Sequence, residues 1–99
     1  MRVISLGTLK VFWARAGNEP AKQPTLAWYQ HVLAADWSKP ADVKQDFASA
    51  SVLKDGRVVF NIGGNKFRIV VWINYAFRVV YIRFIGTHAQ YDRIDAQRI

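Results

Sequence analysis

The stretch RVVFNIGGNKFRIVVWINYAFRVVYIRFI, residues 57–85, decides the fold. Within it Arg57–Ile62, Lys66–Ile73 and Arg78–Ile85 are β-branched and aromatic runs separated by turn-forming residues. Gly63-Gly64 is a hairpin signal, and Asp55-Gly56, one of the strongest short ones, joins the first run to another β-type segment, Ala48–Leu53. Four strands in succession with short turns predict an antiparallel meander.

Working outward, the pattern changes period. Upstream, Arg2–Ile4 is a short β-type run, and Ser5 is a candidate N-cap for a helix whose apolar positions are Leu6, Leu9, Phe12 and Trp13. Gly17-Asn18 stops it. A second helix starts after Pro20 or at Pro24 and carries Leu26, Tyr29, Val32 and Leu33 on one face. A third short helix follows Ser38-Lys39, with Pro40 near its first position, and ends near Phe47. Downstream, Thr87–Gln97 returns to helical character, with Thr87 and Gln90 spaced as a capping box. The expected architecture is one α+β domain over residues 1–99 in two layers. An N-terminal strand and a helical hairpin pack on a mainly antiparallel sheet of four to five strands, and a short helix closes the chain. The far face of the sheet is expected to be open.

Turn lengths set an expected register. A two-residue loop at Gly63-Gly64 places Phe60 opposite Phe67, Asn61 opposite Lys66 and Val59 opposite Arg68. A turn at Tyr75-Ala76, or a longer one over Asn74–Phe77, places Arg68 across from Arg83 and Phe67 across from Phe84. Alternation then assigns Phe60, Phe67, Ile69, Val71, Ile73, Val80, Ile82 and Phe84 to the core face. Arg57, Asn61, Lys66, Arg68, Val70, Tyr81 and Arg83 fall on the open one. Like charges directly opposite are unfavourable, so two facing arginines need an anion between them, either a fixed carboxylate or a phosphate. Asp92 is the nearest candidate carboxylate in sequence.

Composition narrows the class. The chain has 99 residues, 52% hydrophobic and 21% charged, which is globular, and no apolar run reaches the roughly 20 residues of a membrane span. Fourteen Lys and Arg against seven Asp and Glu give a net charge of +7, concentrated beyond residue 53, a field that attracts a polyanion. There is no cysteine, which excludes a disulfide framework, a thiol nucleophile and a Cys-based zinc site, and with two histidines the inventory argues against any zinc centre. No apolar segment with a cleavage site opens the sequence, so the cytoplasm is the expected compartment.

After the Arg83 strand comes Thr87-His88-Ala-Gln-Tyr91-Asp92. On a helix His88, Tyr91 and Asp92 share a face. A histidine moves protons near neutral pH, a carboxylate orients its ring, and a tyrosine hydrogen-bonds or stacks on a base. The glycine pair is no phosphate-cradling loop, because it lacks the Lys-Ser/Thr ending and opens a strand. His31, with only Asp36 nearby in sequence, reads as a surface or partly buried histidine.

The combination Val59-Phe-Asn-Ile-Gly-Gly-Asn-Lys-Phe-Arg-Ile-Val70, Val80-Tyr-Ile-Arg83 and Gly86-Thr-His-Ala-Gln-Tyr-Asp92, preceded by Trp37–Lys44, resembles the HigB toxins of bacterial type II toxin-antitoxin systems, within the RelE/ParE superfamily. The resemblance implies the RelE/ParE-like fold and a metal-independent, cofactor-free endoribonuclease, an mRNA interferase, that cuts mRNA on the ribosome and is neutralised by a HigA-like helix-turn-helix antitoxin. It implies Arg68, Arg83, His88 and Tyr91 as catalytic residues, and Arg57, Asn61, Lys66, Tyr81 and Asp92 as RNA contacts. A non-catalytic RNA- or gyrase-binding member of the superfamily is the alternative reading.

Overall fold

A computed structural model describes residues 1–99, with element order β1 (Arg2–Ile4), α1 (Leu6–Ala14), a 3-10 turn (Glu19–Ala21), α2 (Lys22–Ala34), α3 (Pro40–Asp46), β2 (Ser51–Val52), β3 (Arg57–Ile62), β4 (Phe67–Asn74), β5 (Val79–Thr87) and α4 (His88–Tyr91). The expected α+β class and element order are present. Five strands form one sheet in the order β1-β5-β4-β3-β2, antiparallel throughout except where β1 runs parallel to β5.

The helices cover one face. Leu9 and Phe12 of α1 and Trp28 and Val32 of α2 are buried against Val58, Phe60, Ile69, Val71, Ile73 and Val80 of the sheet. Trp37, Trp28 and Phe47 surround Phe60 at ring-centroid distances of 6.1, 5.3 and 5.2 Å. Such aromatic contacts add about 0.5–1.5 kcal/mol per pair beyond area burial.

The first expected turn needs a new length, and the second, four residues long as one of the two expectations had it, a new position. The first loop has four residues, Gly63 to Lys66, so Ile62 pairs with Phe67, Phe60 with Ile69 and Asn61 with Arg68. The reason is backbone conformation: Gly63, Gly64 and also Asn65 take positive φ values of 64°, 62° and 82°. Asparagine tolerates that region, which lengthens the left-handed turn. A two-residue change in pairing leaves each side chain on its expected face. The second loop is Tyr75 to Arg78, with Asn74 paired to Val79, and here a bulge intervenes. Val71 pairs with Ile82 but Val70 with Phe84, so Arg83 is the extra residue. Beyond it the alternation inverts. Phe84 joins Val70 on the second face, Ile85 turns to the helix-covered core, and Arg68 lies across from Gly86 rather than Arg83.

The second face is not open along its length. The chain after α4 folds back over it, burying Ala96 against Val59 and Val70, with Leu53, Phe84, Tyr91, Ile94 and Ile99 packed around them. Thr87–Gln97 is therefore not one helix. α4 makes a single turn, and the apolar side chains after it find the Val59–Val70 patch. Polar contacts pin this tail: Arg57 donates through Nε and Nη2 to the Ile99 carbonyl at 3.0 and 2.8 Å, and the Gln97 side chain exchanges two hydrogen bonds with the Lys54 backbone.

Candidate active site

The tail leaves one end of the second face free. There the Gly63–Lys66 loop, the start of β4, the end of β5 and α4 converge. The capping box expected at Thr87 and Gln90 is formed in both directions, and the His88 N–H donates to the Lys66 carbonyl at 3.0 Å. These bonds fix α4 against the loop and set His88 beside the root of Lys66, whose side chain is exposed.

Arg68 occupies the centre of this end. It is 8% exposed, yet none of the four ion pairs in the molecule involves it. Its Nη1 donates to the carbonyls of Asn65 and Phe67 at 2.9 and 3.4 Å, and its guanidinium carbon lies 5.7 Å from the Tyr91 ring centroid. Carbonyl dipoles and a ring face hold the cation without neutralising it. A buried charge without a partner is costly, of the order of several kcal/mol. The guanidinium is thereby oriented and largely stripped of water.

His88 lies at the rim. Its Nδ1 is 3.1 Å from Asp92 Oδ2, and both side chains are about half exposed. A carboxylate on Nδ1 fixes the tautomer and leaves Nε2 as the nitrogen that takes or gives a proton. Tyr91 shares the helix turn but points into the tail cluster, where its ring supports Arg68.

Of the residues singled out in the sequence, the structure brings Lys66, Arg68, His88, Tyr91 and Asp92 together, with Asn61 one strand over as the pairing partner of Arg68. Arg83 is exposed at the bulge and does not face Arg68. Arg57 and Tyr81 both pair with Trp72, four residues from Arg68 or about 13 Å along the strand. There Arg57 holds the tail and Tyr81 stacks on Trp72 at 5.2 Å.

Two participants escaped sequence reasoning. One is Gly86, whose missing Cβ leaves room beside the Phe84 ring and the Gln90 side chain, since a Cβ there would meet Phe84 Cζ at 2.4 Å. A glycine inside a strand is the signal that could have found it. The other is the Asn65 carbonyl, visible only once the loop length is known. No group of three or more His, Asp or Glu side chains converges in a way that could hold a metal ion.

A small basic α+β domain with a buried unpaired arginine beside a histidine–carboxylate pair has the electrostatic footprint that suits a polyanion. Residues 21–94 match the family described as HigB_toxin, RelE-like toxic component of a toxin-antitoxin system, and the chain belongs to that family. It is similar to the mRNA interferase toxin HigB of Escherichia coli K12, 38% identical over 62 residues that span 61% of this chain and 60% of that protein. An mRNA interferase HigB of Shigella flexneri matches at the same identity and coverage. Another, from Escherichia coli O6:H1, is 26% identical over 68 residues, covering 67% of this chain and 66% of that protein. The match to the first of these relatives thus spans about three fifths of their length.

Proposed function

We propose that this protein is the toxin of a type II toxin-antitoxin system and acts as an endoribonuclease on mRNA. The observation that carries the reading is the buried, uncompensated Arg68 next to the His88–Asp92 pair.

In the proposed reaction a ribose 2′-hydroxyl attacks the adjacent phosphate. The new 2′-O–P bond forms, the P–O5′ bond breaks, and the products are a 2′,3′-cyclic phosphate and a free 5′-hydroxyl. One proton leaves the 2′-oxygen and one reaches the 5′-oxygen, so the step needs a base, an acid and a cation for the charge that builds on phosphorus. His88 Nε2, oriented by Asp92, carries one of these protons as base or acid, and solvent water carries the other. Arg68 receives the phosphate oxygens in bidentate fashion, with Lys66 and Arg83 adding positive potential at the rim. Tyr91 braces Arg68 from below, and Asn61 contacts the RNA strand as it leaves the site.

The proposed substrate is mRNA presented by the ribosome. The family description supports an antitoxin as the neutralising partner, and we take it to be of HigA-like helix-turn-helix type, with the cytoplasm as the site of action. No helix of the chain is long and apolar enough to cross a membrane.

The test is chemical. Purified protein is incubated with a reporter mRNA, free and on translating ribosomes, and the new ends are identified. Cyclic phosphate and 5′-hydroxyl ends, lost in Arg68→Ala, are the expected result. Intact RNA in both settings, with growth still inhibited, would establish the non-catalytic alternative.

A further inference from the structure

Around the β3 edge from Arg68 lies a groove of about 340 Å³ whose walls include Trp28 and His31 of α2, Phe47, and Asn61 of β3. We propose that this groove is a nucleobase subsite, which takes the base of a nucleotide next to the scissile phosphate and sets the base preference of cleavage. The inference rests on the ribonuclease reading of the Arg68 site.

Three observations carry it. The first is continuity. Asn61 is the cross-strand partner of Arg68, one strand spacing or about 5 Å away at Cα, and it also lines the groove. A phosphate on Arg68 therefore leaves a flanking nucleotide at the groove's mouth. Asn61 uses its Nδ2 on the Ser49 carbonyl at 3.3 Å, which leaves Oδ1 as an acceptor for a base edge.

The second is a preorganised ring. The His31 side chain is 47% exposed, yet its Nε2 sits 3.1 Å from Asp46 Oδ2 and its ring packs edgewise on Phe47 at 4.8 Å. Asp46 Oδ2 in turn accepts from the indole N–H of buried Trp37 at 2.9 Å. An exposed imidazole tied through a carboxylate to the core has little rotamer freedom to lose when a base stacks on it. Bases stack on aromatic side chains, histidine included, without sequence-specific hydrogen bonds.

The third is an orphan donor. Trp28 is 2% exposed, and its indole N–H is buried without a partner. Buried N–H groups are almost always paired, and this one, which solvent does not reach, would pair with a base acceptor once the Trp28 side chain shifts toward the groove.

The test measures relative cleavage rates on reporter mRNAs that carry each of the four bases at the two positions flanking the cut. Wild type is expected to prefer one base at one of these positions by roughly fivefold or more. His31→Ala should flatten that preference while cleavage persists, and His31→Phe, which keeps a ring, should retain it. Trp28→Phe, which deletes the orphan N–H, reads the same ratio and serves if the alanine variant does not fold. A wild type without flanking preference, or ratios unchanged in His31→Ala and Trp28→Phe, overturns the groove while leaving the enzyme reading intact. Absence of cleavage by the wild type overturns both.

Discussion

Two histidine–carboxylate pairs, His88–Asp92 and His31–Asp46, have the same separation of 3.1 Å and similar histidine exposure, 51% and 47%. Their surroundings differ. His88 stands beside a buried arginine with no counter-ion and a lysine-bearing loop, whereas Asp46 is already occupied by the Trp37 indole and His31 leans on Phe47. Two contacts of one geometry thus serve different ends. On the proposed reading one stands where charge changes during a reaction, and the other fixes a ring in place. Contact distance does not mark a site of chemistry. The uncompensated charge beside His88 is the feature on which the proposed site rests.

The sharpest way to break that contrast is to remove the charge. Arg68→Met keeps the length of the stem and deletes the guanidinium, and should lower the cleavage rate by about 10³. Arg68→Lys should recover little, because an ammonium cannot replace a planar fork. Arg68→Met gives up two hydrogen bonds to carbonyls and the Tyr91 contact, but it loses no ion pair and relieves a buried unpaired charge, so its melting temperature should shift little. A rate loss accompanied by a large fall in melting temperature would make Arg68 a structural residue.

Next in size is the proton-transfer pair itself. His88→Ala should cost about 10² in rate, within the usual range for general acid–base catalysis. Asp92→Asn, which leaves the ring but loosens its orientation, should cost less, about tenfold. Equal losses would mean that Asp92 does more than orient His88. The corresponding changes at His31 and Asp46 should leave the overall rate within about threefold, and a larger loss would erase the distinction between the pairs.

What could be read in advance follows from the range of each interaction. His88–Asp92 is an i, i+4 contact on one turn, and the Thr87–Gln90 box lies in the same local pattern, so both were visible in the sequence. His31 and Asp46 lie on different helices, α2 and α3, and meet only after both pack on Phe60, so no spacing rule could find them. Strand identities and faces were legible from alternation, which survives a two-residue slip at the Gly63 loop. Alternation does not survive a bulge. One extra residue at Arg83 moved Phe84 to the other face and, added to the shifted second turn, put Gly86 in place of Arg83 across from Arg68, and nothing in the apolar pattern of Val79–Thr87 announces where the extra residue sits. The tail was misjudged for a related reason, since Ile94, Ala96 and Ile99 pair with a patch distant in sequence.

The tail gives a third, smaller test. Arg57→Ala removes two hydrogen bonds to the Ile99 carbonyl at the end opposite Arg68. Charge-assisted bonds of this kind are worth about 1.5–3 kcal/mol, discounted here by partial exposure, so a loss of about 1 kcal/mol in urea unfolding is expected. The Arg68 end should keep its cleavage rate. A rate loss as large as that of Arg68→Met would instead mean that the RNA runs the length of the face.

The smallest expected effect separates the two pairs by pH. The Trp37 indole N–H, followed by His31, holds the Asp46 carboxyl below its ordinary value. A carboxyl lowered on folding adds stability that is fully present above its unfolded value, about 3.9, and is lost as the pH falls through the lowered one. Asp46→Asn should therefore be less stable than wild type near neutral pH, by about 0.5 kcal/mol given the exposure of the group. The gap should close as the solution is acidified below pH ~4 and the Asp46 carboxylate takes up its proton, which the asparagine has no need to do. Melting temperatures of the two proteins between pH 3 and 7 read this directly. Curves that stay parallel to the acid end would show that Asp46 is held by shape and not by charge, and His31 would then lack the electrostatic tether that keeps its ring at the groove.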